Sequence, residues 1–126
     1  MTTQRSGPVY LNLLRIRFPV GAVTSIAHRI SGVLLFLSLP VLIYLLELSL
    51  QSPAGYAKTM SYINNGWFEA GLGLVVWSFT HHLLSGIRFL LIDIDKGVTL
   101  QAARSSAWLV NLCAPVLTLL YLWWIL

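Results

Sequence analysis

Hydrophobic positions run along this chain in long, unbroken stretches, with few charges between them. Ile30–Leu46 carries no formal charge over 17 residues, Ala70–Ile87 none over 18 and Ser105–Leu126 none over 22. Crossing about 30 Å of hydrocarbon takes roughly 20 helical residues. Extended into their polar flanks, these stretches predict transmembrane helices near 23–49, 66–92 and 104–125. The runs are continuous and do not alternate, which argues against a β-barrel. Gln51–Asn65, with Ser-Pro, Ala-Gly and Asn-Asn-Gly, reads as turn and helix-start signals, and Asp93–Ala103 as a second turn. Thr99 is placed to cap a short amphipathic lead-in to the last span. Pro40 and Pro115 fall inside spans, where neighbouring helices re-satisfy the freed backbone.

Composition changes the picture in one respect. With 57% hydrophobic and 10% charged residues, against roughly 45–50% and about 25% in soluble domains, the 126-residue chain cannot hide its apolar surface as a small soluble fold. The fold class is all-α integral membrane protein. Disorder, a disulfide scaffold and a free-standing soluble enzyme are excluded. No internal repeat or linker marks a second domain, so residues 1–126 read as one membrane domain whose segment 1–22 precedes the first span. That segment does not read as a signal peptide, because the apolar stretch behind it is too long and lacks a small-residue cleavage pattern. Cys113 is the single cysteine, and it reads as a small buried hydrophobe.

Charge supplies orientation. Arg5, Arg15, Arg17 and Arg29 precede or open span one, and Arg88, Lys96 and Arg104 surround the second connection, whereas the first connection has only Lys58. The excess of basic residues predicts a cytoplasmic N-terminus and second loop. The net charge of +4 is therefore topological. Basic residues spread along membrane flanks form no surface for reading bases, so nucleic acid is not an expected partner. Membrane lipid is.

Polar groups inside spans are the candidates for chemistry. Ser25, His28, Arg29 and Gly32 follow i, i+3, i+4 and i+7 spacing and share a helix face at the start of span one. A hydroxyl, an imidazole and a guanidinium so grouped suit a carbonyl oxygen or a carboxylate. The alternative is an arginine snorkelling to headgroups beside an interfacial histidine. In span two, Gly71, Ser78, His82 and Ser85 share a face of small and polar residues. His82 lies about 12 Å along the axis from Leu90, at the predicted membrane edge. An imidazole there either hydrogen-bonds to another helix or ligates a metal, and the residues alone leave both open. His81 points about 100° away and is the weaker ligand candidate.

These strings resemble those of the cytochrome b556 membrane anchors of bacterial succinate dehydrogenase, the larger of the two anchors of respiratory complex II. Pro8–Leu13, Ile16–Pro19 and Ser25–Gly32 are similar to the family's N-terminal signature, and His82–Arg88 followed by Asp93 to its second-helix signature. The resemblance implies a helical bundle with a second, smaller anchor and one shared haem b, with His82 as this chain's axial ligand. It places His28 and Arg29 by the haem propionates, Ser25 and Arg29 in the ubiquinone site, and Asp93 near the cytoplasmic mouth. It implies an iron–sulfur subunit and a flavoprotein subunit as further partners, in a bacterial cytoplasmic (inner) membrane. Succinate chemistry would belong to those partners. Phe89 departs from the family, which often has histidine directly after Gly-Ile-Arg. Alternatives are a quinol:fumarate reductase anchor, a structural anchor without haem and a small multi-helix transporter. Glu47 and Glu69 sit at helix ends, which disfavours the transporter.

Overall fold

The computed structural model describes residues 17–125, so Arg5, Arg15 and the Pro8–Leu13 string lie outside the described residues. The chain runs through four helices: α1 (Val20–Gln51), α2 (Pro53–Ile63), α3 (Gly66–Asp93) and α4 (Leu100–Ile125). Three of these, α1, α3 and α4, are long and apolar enough to cross a membrane. Each begins or ends within a few residues of its predicted span. The largest extension is at the start of α4. There Thr99 accepts a hydrogen bond from Ala102 N at 3.3 Å and the lead-in runs straight into the span. Pro40 and Pro115 are both carried inside continuous helices.

The first connection is a helix, where the sequence signals suggested mainly turns. Ser52 caps it by accepting from Gly55 N at 3.0 Å, and Pro53 occupies the first turn, where its missing N–H costs nothing. Gly55 sits directly against the Leu48 carbonyl of α1, an approach that a side chain would block. Asn65 then accepts from Trp67 N at 3.0 Å and opens α3. At the other end of α3 the chain reverses through Asp95 at φ 59° and Gly97 at φ 74°. Lys96 N reaches back to Leu91 O at 2.8 Å, closing the helix as a Schellman-type cap.

Since α2 reverses the chain, α3 returns antiparallel along α1, and α4 packs against both. The interior is small and polar. Thr24, Ser31, Ser78, His81, Ser85, Arg88 and Thr118 are buried beside Ala107, Val110 and Ala114. Large apolar side chains such as Phe36, Leu50 and Leu90 face outward. This inversion suits lipid, which is as apolar as leucine and provides no hydrophobic drive between helices; close approach and interhelical hydrogen bonds do that work instead. Trp67, Trp123 and Trp124 are highly exposed at the end that carries α2, as expected of aromatic residues at a membrane–water interface. The basic residues Arg17, Arg29, Lys96 and Arg104 gather towards the opposite end.

Candidate functional site

Towards that basic end, the start of α1 meets the end of α3 at two histidines. The His28 and His82 rings stack with centroids 4.1 Å apart and planes 14° from parallel, and Phe89 meets His28 edge-on at 5.2 Å. Close packing is possible because each ring faces a glycine. A Cβ on Gly32 would lie 2.9 Å from His82 Cε1, and one on Gly86 would lie 3.9 Å from His28 Nε2. The two helices carry the same local string, His28-Arg-Ile-Ser31-Gly32 and His82-Leu-Leu-Ser85-Gly86. Packed antiparallel, the strings place each histidine over the other's glycine. His82 Nδ1 lies 3.1 Å from the His28 carbonyl oxygen, and Ser31 Oγ donates to that same oxygen at 2.8 Å. A carbonyl only accepts, so Nδ1 carries the proton and Nε2 is left with the lone pair.

Around this geometry the wider relationship becomes clear. Residues 2–121 match the Succinate dehydrogenase/Fumarate reductase transmembrane subunit family. The chain belongs to that family. A Coxiella burnetii protein named succinate dehydrogenase cytochrome b556 subunit is 34% identical over 120 residues, covering 92% of this chain and 96% of the relative. Proteins of the same name from Rickettsia felis and Paracoccus denitrificans are 30% and 29% identical. They cover 92% and 79% of this chain, and 90% and 77% of their own lengths. The chain is thus a membrane-anchor subunit by family, and its relatives carry the name of a b-type cytochrome.

In this transmembrane subunit the other site residues fall as follows. Ser25 is half-buried and Arg29 exposed, and among the described residues neither side chain makes a hydrogen bond within the chain. Asp93 is the exposed last residue of α3. The structure brings His28 and His82 together. It leaves Ser25, Arg29 and Asp93 on the same end of the bundle without drawing them onto the ring pair.

His81 takes the role that the residues alone had left open for His82 as well. It is fully enclosed, with Ser85 Oγ 3.3 Å from Nδ1 and Asn111 Oδ1 3.2 Å from Nε2. Thr24 Oγ1 also approaches Asn111 Oδ1 at 3.2 Å, so one amide oxygen ties α1, α3 and α4 together. The buried face of α3 therefore runs through Ser78, His81, Ser85 and Arg88, and Gly71 of the expected small-residue face is exposed. Near the basic end, Arg88 donates through Nε to Ser106 Oγ and through Nη2 to Ala103 O, both at 3.0 Å, pinning the first turns of α4.

Interhelical hydrogen bonds in membranes average about 0.6 kcal/mol. Asn111→Ala removes both contacts and strands His81 Nε2, while Thr24 keeps the Val20 carbonyl, so we expect a loss of about 1–2 kcal/mol in bundle stability. The midpoint of thermal unfolding of the detergent-solubilised complex measures it. An unchanged midpoint would remove Asn111 as the tie between the three spans.

Proposed function

We propose that this chain is a membrane anchor of a succinate:ubiquinone oxidoreductase in a bacterial cytoplasmic membrane. In this reading residues 1–126 form one domain with the N-terminus on the cytoplasmic side. It binds one haem b jointly with a smaller anchor and contributes to the site where the iron–sulfur subunit delivers electrons to ubiquinone. A flavoprotein subunit oxidises succinate. The observation that carries this reading is the carbonyl-held His82 beside the His28 ring at the basic end of the bundle. The names borne by the relatives favour succinate oxidation over the fumarate reductase direction.

The residues present fit a haem. Ligating histidines usually donate their second ring nitrogen to a carbonyl or carboxylate, which fixes the tautomer and aims the ligating nitrogen. His82 has that arrangement, with Nδ1 on the His28 carbonyl. The stacked His28 and the exposed Arg29, one residue further along α1, are the cationic and donor groups suited to propionates. His82 would hold the haem from this chain, and the smaller anchor would complete the site. Haem b bound there would supply a one-electron store beside the quinone.

The quinone site draws on Ser25 and Arg29. Quinone reduction takes two electrons and two protons and builds negative charge on the carbonyl oxygens. A hydroxyl and a guanidinium with no partner elsewhere in the described chain are free to donate to one such oxygen and stabilise that charge. Fixed donors in a water-poor site do this better than solvent. Asp93, at the cytoplasmic mouth, is placed to pass protons inward from water.

The test compares two activities of the assembled complex. Ser25→Ala and Arg29→Ala should each lower ubiquinone reduction by about 10²–10³-fold, the usual cost of one charge-stabilising donor. Succinate oxidation with a soluble artificial acceptor should stay at the level of the unmodified complex. Normal quinone turnover in both variants would move the quinone site away from α1.

A further inference from the structure

The geometry points to Ser31 as a positioning residue that weakens the electron donation of His82 to the haem iron, raising the haem's reduction potential. This deepens the reading of His82 as the axial ligand and rests on it. Ser31 is fully buried, and its hydroxyl hydrogen goes to the His28 carbonyl at 2.8 Å. The His82 Nδ1–H goes to that same oxygen at 3.1 Å. Ser31 Oγ lies 3.4 Å from Nδ1, beyond the usual N–H···O range, so the carbonyl is the main acceptor for His82. Two side-chain donors therefore share a carbonyl that, inside α1, also takes the backbone helix bond, and each bond is weaker than it would be alone.

The strength of that Nδ1–H bond matters at the opposite nitrogen. A histidine that gives its Nδ1 proton more fully becomes a more basic ligand through Nε2. Greater ligand donation favours ferric over ferrous iron, and second-shell hydrogen bonding is one of the means by which a protein sets a haem potential. Ser31 withdraws acceptor capacity from His82 and so acts in the other direction.

The repeated His-x-x-Ser-Gly string gives an internal comparison. Ser85 occupies on α3 the place that Ser31 occupies on α1, yet its hydroxyl turns to His81 of its own helix and leaves the ring pair alone. Of the two equivalent serines, only Ser31 reaches the carbonyl that holds His82. The Ser31 bond is the same i−3 backbone bond that Ser38 and Ser49 make on α1; what sets it apart is that its acceptor is also the carbonyl that holds His82.

A redox titration of the haem in the purified complex tests this. Ser31→Ala should retain haem and shift its midpoint potential to more negative values. Ser31→Cys, with a weaker donor of similar size, should shift it in the same direction by less. Thr118→Ala, which removes a buried hydroxyl bonded only to its own helix, should leave the potential unchanged. An unchanged or more positive potential in Ser31→Ala overturns the inference. If Ser31→Ala loses its haem, a lowered potential in Ser31→Cys supports the inference. Loss of haem from both variants, or an unchanged potential in the cysteine variant, overturns it. His82→Ala separates this from the ligand reading. An unaltered haem spectrum there removes His82 as ligand, whereas an altered spectrum with an unmoved Ser31→Ala potential rejects Ser31 alone.

Discussion

Replacing His82 by alanine is expected to abolish or profoundly alter the haem b absorption of the complex. The side chain is held at Nδ1 by the His28 carbonyl, and no second group in the described chain offers an imidazole so prepared. His81, its neighbour, has both ring nitrogens engaged by Ser85 and Asn111 and is enclosed by the bundle, so it cannot turn outward without breaking the tie between three helices. Removing an outer-shell partner of a metal ligand costs about 10–100-fold in affinity, and removing the ligand itself should cost more. The measurement is the haem-to-protein ratio and the reduced-minus-oxidised spectrum of the purified variant complex. Normal haem content with an unshifted spectrum would assign the axial ligand elsewhere, with His28 the next residue to examine.

Gly32→Val should have nearly as large an effect, and for a different reason. A Cβ at Gly32 would stand 2.9 Å from His82 Cε1 and 3.3 Å from Nδ1, so even one methyl group pushes the ring away from the carbonyl that orients it. Gly32→Ala should lower haem affinity by about 10-fold or more, as expected when a ligand loses its orienting contact. Valine should prevent stable haem binding. Helix weakening does not explain such a loss, because alanine in a helix interior is about 1 kcal/mol more favourable than glycine. Gly71→Ala is the matching control, since a Cβ there meets nothing within 4 Å. Haem retained at the level of the unmodified complex in Gly32→Val would show that the ring does not need this space.

How much of this could be read from the residues follows from the physics of each element. The three spans were legible because charge is costly in hydrocarbon, so gaps between charges mark the crossings. Helix α2 was not, since its 11 residues carry no long apolar run and its helical state rests on the Ser52 cap and on packing of Gly55 against α1. That His28 and Gly32 share one face of α1 was legible from helical spacing, and both meet His82. Which of His81 and His82 would turn towards α1 was not, because the choice depends on where α1 and α4 pack around α3.

Asn111 was missed for a related reason. A search for ionisable groups passes over a neutral amide, yet a lone asparagine in an otherwise apolar span also needs partners. It finds Thr24 and His81. Ser31 and Gly32 had a visible signal in the recurrence of His-x-x-Ser-Gly at 28–32 and 82–86. Its meaning emerges only when the two helices lie antiparallel and each glycine receives the other helix's histidine.

The central claim is that this chain holds a haem b through His82 within a succinate-oxidising membrane complex. The most direct measurement is the dithionite-reduced minus oxidised absorption spectrum of the purified, unmodified complex, with haem quantified against this subunit. The account predicts a b-type α-band at one haem per copy of the chain. A complex that oxidises succinate and reduces quinone with no haem signal would contradict it.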